Sequence, residues 1–147
     1  MKIARIAAAP CHIFNDWTVE IYVCGCRQNC PGCHNKSLQD FDCSSGKEMT
    51  VYEIVAELLK RKELCNSVTY LGGDFSYFPD EYAYISEQCH RIGFKNILYS
   101  GHSQGQLPPS MLRFTDLTLY GRYDSSDPGK LNQARERLHN GVGAGLS

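Results

Sequence analysis

The chain lacks several things, and each absence closes off a class of protein. No apolar run approaches the ~20 residues that a membrane-spanning helix requires. The early run Ile3-Ala4-Arg5-Ile6-Ala7-Ala8-Ala9-Pro10 is short and is interrupted by Arg5, so it does not read as a secretory signal. Neither sign of charge is in excess: 15 Lys and Arg stand against 16 Asp and Glu, interspersed, for a net charge of -1. That balance offers no basic field for a nucleic-acid backbone and no polybasic membrane anchor. Length is also limiting, because 147 residues suit one domain and leave no room for a second large one.

What is present is a globular composition, 42% hydrophobic, sufficient for a core without disulfide staples. The expectation is a cytoplasmic protein whose eight cysteines are ligands or buried thiols rather than disulfides. Three of them, Cys26, Cys30 and Cys33, crowd into the stretch from Gly25 to Asn35. Thiols at that spacing can turn toward one inorganic centre, and a four-iron cubane held by three of them keeps one iron open for chemistry. Zinc is the alternative, with Cys24 as a fourth thiol. Structural zinc usually takes two short pairs separated by an intervening stretch, whereas these four are crowded and Cys24 falls on a strand. Cys24 is therefore read as a buried thiol. A simple ferredoxin would repeat its ligands, but Cys11, Cys43, Cys65 and Cys89 are scattered, and any electron donor must be external.

The periodicity places these residues on a scaffold. Lys2 to Ala8 reads as a first strand, followed by a loop through Phe14-Asn15-Asp16-Trp17. Thr18 to Val23 alternates, with Val19, Ile21 and Val23 on one face. Residues 36 to 49 are polar and irregular. Thr50 and Glu53 form a capping box ahead of a helix striped by Val51, Ile54, Val55, Leu58 and Leu59. A strand over Ser67 to Leu71 runs into Gly72-Gly73-Asp74, and a helix carrying Tyr82, Ile85, Cys89 and Ile92 stops at Gly93. Lys95 to Tyr99 ends in Ser100-Gly101-His102, and Leu117 to Tyr120 ends in Gly121-Arg122. An amphipathic stretch from Lys130 to His139, with Leu131, Ala134 and Leu138 inward, leads into a flexible Gly-rich tail over 141–147. Alternating strands and helices imply right-handed crossovers and a mainly parallel sheet. Ligands of such sheets bind at the carboxyl ends of the strands, so four separated segments are expected to converge on one site. The fold class is α/β. A closed eightfold barrel needs ~250 residues, so the expected form is an open partial (β/α) barrel over residues 1–140.

The cysteine loop with Asn35 resembles the signature of the radical S-adenosylmethionine enzymes. Together with Leu71-Gly72-Gly73-Asp74, Ser100-Gly101, the run from Asp116 to Tyr123, Gly129 and Asn132-Gln133, most of the chain is similar to the activating proteins of anaerobic ribonucleoside-triphosphate reductases, in the glycyl-radical activase group. The resemblance implies a [4Fe-4S] cluster on Cys26, Cys30 and Cys33, and S-adenosyl-L-methionine as cofactor. It implies Gly72, Gly73 and Asp74 at the methionyl amino group, Ser100 at the ribose or methionine end, and Arg122 at the methionine carboxylate. Gly32 and His34 would lie along the adenine, and Asn35 completes the cofactor-binding signature. The implied partners are a large glycyl-radical reductase subunit and a low-potential donor such as a flavodoxin or ferredoxin. The implied reaction makes a radical on a backbone glycine of that subunit.

The chain departs from that pattern at four places. Phe14-Asn15-Asp16-Trp17 replaces the usual Asn-Gly-Pro-Gly, and the Trp that commonly trails the cysteine loop is missing, with Leu38 in the region and Phe41 nearby. Phe75 replaces a Pro, and Tyr120 stands where an acidic residue is common. Rival expectations are an activase of another glycyl-radical enzyme of the pyruvate formate-lyase type, a small-molecule radical enzyme, and a zinc-stabilised interaction module.

Overall fold

The computed structural model describes residues 1–11, 13–27, 36–102 and 105–120 in full and the backbone of 136–138. Its first two strands form an antiparallel hairpin, β1 (Lys2–Cys11) against β2 (Asp16–Val23), with Ile6 opposite Ile21 and Cys11 opposite Asp16. The loop is thus shorter than expected, because Ala9, Pro10 and Cys11 continue β1 while Asp16 and Trp17 begin β2. Asn15, with φ of 52°, takes the left-handed turn that an asparagine tolerates. The segment after the cysteine loop is also more ordered than its polarity implies. It contains a 3₁₀ turn at Lys36–Leu38 and a two-residue strand, β3 (Lys47–Glu48), paired with the start of β1.

Helix α1 (Val51–Leu59) begins where its capping box requires. The Thr50 hydroxyl accepts from the Glu53 amide, and the Thr50 amide donates to the Glu53 carboxylate. Ile54 and Leu58 are fully buried, whereas Leu59, expected in the same stripe, is half exposed because nine residues of helix give only a narrow contact face. Strand β4 (Ser67–Gly72), helix α2 (Pro79–Ile92) and strand β5 (Lys95–Ser100) follow, then the short helix α3 (Pro109–Leu112) and strand β6 (Leu117–Tyr120). Gly93 ends α2 at a φ of 106°, a conformation that glycine adopts without a Cβ penalty. Within the expected C-terminal amphipathic stretch, residues Glu136–Leu138 form β7, antiparallel to β6, so its described end is extended rather than helical. The tail lies outside the described residues.

One sheet joins these strands in the order β3-β1-β2-β4-β5-β6-β7, and it is open. The pairs β2–β4, β4–β5 and β5–β6 are parallel, and antiparallel strands extend both ends. The main core lies on one face, where Val19, Ile21, Val23, Val68, Tyr70 and Leu98 meet Ile54, Leu58, Tyr82, Ile85, Cys89 and Met111 from the helices. On the other face, Cys11, Ile97 and Leu117 form a small cluster to which no described helix contributes. Cys11, Cys65 and Cys89 are therefore core thiols. At the amino ends of β5 and β6 a polar network ties the layers. Asn96 donates to the Ser86 and Phe114 carbonyls and accepts from the Tyr70 hydroxyl at 2.7 Å, while its amide donates to Asp116 at 2.7 Å. Burial pushes the Asp116 carboxyl above its ordinary range, opposed by that amide. No described helix is long and apolar enough to cross a membrane.

Candidate iron-sulfur site

The site begins at the carboxyl end of β2. Cys24 closes the strand with its amide on the Lys2 carbonyl at 2.9 Å. The next two residues make a backbone neck, in which the Gly25 amide donates to Leu38 O at 2.8 Å and the Cys26 amide to Gln39 O at 3.0 Å. The loop from Cys26 to Leu38 is thereby closed at its base, with the Cys26 side chain partly buried beside it. Cys30 and Cys33, and with them Gly32, His34 and Asn35, lie outside the described residues.

Phe41 packs its ring over Gly25, where any Cβ would collide with it, and it contacts Tyr77 and Phe78 edge-on or tilted. This ring covers the neck. Arg27 lies over the same ring at 4.9 Å and over Tyr77 at 5.7 Å, leaving its cationic head at the exposed rim.

The glycine pair after β4 is bonded directly to this neck. The Gly73 amide donates to Val23 O at 2.7 Å and the Asp74 amide to Gly25 O at 2.9 Å. A Cβ on Gly73 would run into the Gly25 backbone, so the approach needs glycine. Gly72 is held at a φ of 102° against the Val23 backbone.

Asp74 then carries the junction to β5. It is buried, and its Oδ1 accepts from the Ser76 amide at 2.9 Å while its Oδ2 accepts from the Gly101 amide at 2.8 Å. The Ser100 hydroxyl donates to the same carboxylate at 3.1 Å. His102, which the sequence marked only as part of a segment, places Nδ1 at 2.9 Å from Ser76 Oγ and 3.6 Å from Asp74 Oδ2. Its ring meets Tyr77 edge-on. Tyr120 pairs with Ser100 in register, and its buried hydroxyl has no hydrogen-bond partner among the described residues. Neither His102 nor Tyr120 carries a motif of its own. Strand register places Tyr120 at this edge, and hydrogen bonds to Ser76 and Ser100 place His102 there.

Cys26, Gly72, Gly73, Asp74 and Ser100 are thus brought together from three separate segments, by backbone bonds at the neck and by the Asp74 carboxylate at the end of β5. Arg122 lies outside the described residues. The expectation that the cysteines form no disulfide is overturned at one pair: Cys24 and Cys43 are disulfide-bonded, because the neck folds the residues after Leu38 back onto the end of β2. That bond withdraws Cys24 from any ligand set and leaves Cys26, Cys30 and Cys33 as the thiols of the loop. Soft thiolate donors in that number fit an iron-sulfur cluster with an open iron.

A search of curated protein sequences finds no match. Among solved structures, the chain is similar to QueE from Escherichia coli, with a TM-score of 0.60 over 90% of this chain and 76% of that one, at 10% identity. At that identity the likeness is one of fold, an open α/β architecture. A family model described as a 4Fe-4S single cluster domain matches residues 17–139. That span includes the neck, the three loop cysteines, the Gly72-Gly73-Asp74 turn and the end of β5, and the chain belongs to the 4Fe-4S single cluster domain family.

Proposed function

We propose that the protein is a radical S-adenosylmethionine enzyme that activates an anaerobic ribonucleoside-triphosphate reductase by forming a glycyl radical on its large subunit. When bound, the cluster and S-adenosyl-L-methionine supply the reductive cleavage that yields a 5′-deoxyadenosyl radical. The observation that carries the reading is the backbone junction of Val23 and Gly25 with Gly73 and Asp74, which puts the start of the cysteine loop against the carboxyl end of β4, with the Asp74 carboxylate tying it to the end of β5.

The chain's own residues then have definite tasks. Cys26, Cys30 and Cys33 hold the cluster. Gly72 and Gly73 allow close approach of backbone to the cofactor, and Asp74 fixes that backbone by tying it to Ser76, Ser100 and Gly101. Ser100, Arg122, His34, Gly32 and Asn35 complete the cofactor contacts, and the ring of Phe41 keeps water from the neck. A large partner is favoured by the sheet face to which no described helix contributes core residues. Removal of hydrogen from a peptide glycine suits such a site, since the flanking amides delocalise the product radical and no side chain obstructs approach.

The test starts with anaerobic reconstitution, followed by iron and sulfide assay and measurement of 5′-deoxyadenosine on adding reductant and cofactor. About four irons per chain and nucleoside release, both lost in Cys30→Ala, are expected. A glycyl-radical resonance should then appear in the reductase subunit and not in a pyruvate formate-lyase type enzyme. Zinc with no iron would overturn the reading, and turnover of a small molecule with no protein partner would overturn the activase assignment.

A further inference from the structure

Cys24 and Cys43 stand 19 positions apart with Cα atoms 5.7 Å from each other, and their disulfide closes a ring of chain. Cys26, Cys30 and Cys33 all lie inside that ring. Both sulfurs belong to buried residues, in a small cluster with Leu38. Gly46 seals Cys24 from one side, since a Cβ there would come within 2.7 Å of its Sγ. Cys43 is nearer to solvent: its Sγ is 3.7 Å from the hydroxyl of exposed Ser45.

We propose that Cys24–Cys43 is a reversible thiol–disulfide site, distinct from the iron ligands, that clasps the base of the ligand loop while the loop carries no iron. The inference rests on the reading of the three loop cysteines as ligands. Three thiols within eight residues are prone to mispair on oxidation, and a reduced Cys24 would add a fourth only two positions from Cys26. Pairing Cys24 with Cys43 removes that competitor. It also reinforces the Gly25–Leu38 and Cys26–Gln39 bonds, so the loop keeps its entry geometry without metal.

In the opening step a small thiolate attacks Cys43 Sγ, the more accessible sulfur. The S–S bond breaks, and Cys24 leaves as a thiolate that takes a proton from water. A second small thiol resolves the mixed disulfide, releasing the Cys43 thiol and the oxidised small disulfide. Two electrons and two protons enter the protein, and a small-molecule disulfide reverses the exchange.

The test is made on full-length apo protein equilibrated in buffers of varied dithiol-to-disulfide ratio, quenched by alkylation and digested with trypsin without reduction. Cleavage after Arg27 and Lys36 cuts inside the ring. Peptides 6–27 and 37–47 should be recovered joined through Cys24 and Cys43, with 28–36 separate, and should come apart cooperatively as the ratio rises. Cys43 alkylated at every ratio, Cys24 joined to 28–36, or a link that persists until the chain unfolds would each overturn the proposal. A Cys24→Ser/Cys43→Ser double variant should load as much iron as the wild type anaerobically. After exposure of the apo protein to air, it should recover several-fold less iron on a second loading. Equal recovery would sink the clasp, and failure of the first loading would sink its separation from the ligands. If the wild type itself takes up no iron, the proposed function fails, while the peptide map still reads the thiol couple.

Discussion

Asp74 shows what a single carboxylate does at this site. One oxygen accepts the Ser76 amide and the other the Gly101 amide, so both are committed to backbone donors. Asparagine offers one acceptor oxygen and must turn its NH₂ toward one of those amides. Asp74→Asn should therefore cost about 1–3 kcal/mol in urea unfolding, the penalty of an orphaned buried donor, and should lower cofactor affinity because the Gly72–Gly73 backbone loosens. Unchanged stability and affinity together would contradict the clamp. Much at this scale was legible in the sequence: Gly72, Gly73, Asp74 and Ser100 come together as their positions after strands implied. The Cys24–Cys43 pair was not legible, because it depends on how residues 36–43 fold back over β2, and no local spacing encodes that return. Phe41 was noticed only for its proximity, since nothing in the chain announces that it lies over Gly25.

At the scale of elements, legibility followed the strength of the local signal. Helix α1 starts at its capping box and α2 stops at Gly93, because both boundaries are set by hydrogen bonds or dihedrals within a few residues. Thr50→Ala removes the acceptor for the Glu53 amide and should lower stability by about 1 kcal/mol, read as a shift in the urea midpoint at constant slope. A shift below a few tenths would mean that packing of Ile54 and Leu58 alone fixes the helix start. The antiparallel hairpin of β1 and β2 was less visible. Alanines in β1 carry little strand preference, so the pairing is decided by the apolar row of β2 and by the turn at Asn15. Strand β7 escaped for the opposite reason: spacing of Leu131, Ala134 and Leu138 mimics a helical face, while pairing with β6 sets the backbone at Glu136–Leu138.

For the whole molecule, the site and the polar network occupy opposite ends of the same strands. Asp74, Ser100 and Tyr120 lie at the carboxyl ends, and Asn96, Thr115 and Asp116 lie at or just before the amino ends of β5 and β6. That division separates pH effects on stability from those on the site. Burial raises the Asp116 carboxyl above its unfolded value of 3.8, so the folded state holds its proton more tightly. Its contribution is complete below that value and is lost as pH rises through the folded-state value. Asp116→Asn keeps an acceptor for the Asn96 amide and removes the titration. The variant should gain stability relative to the wild type as pH rises from about 3.8 toward neutrality, measured as the difference in unfolding free energy across a pH series. A pH-independent difference would show that Asp116 does not titrate in this window.

The order of strands also sets a schedule for folding. The β1–β2 hairpin joins neighbouring residues, but the bonds from Gly73 to Val23 and from Asp74 to Gly25 link positions 50 and 49 apart and require β4 to dock in parallel beside β2. Local contacts close quickly and such distant parallel pairings slowly. The thiol-bearing loop is therefore made before β4, the strand that completes its neck. A nascent chain passes through an interval in which Cys26 is present without its platform, and metal delivery that waits for the second half of the chain meets a completed receptor.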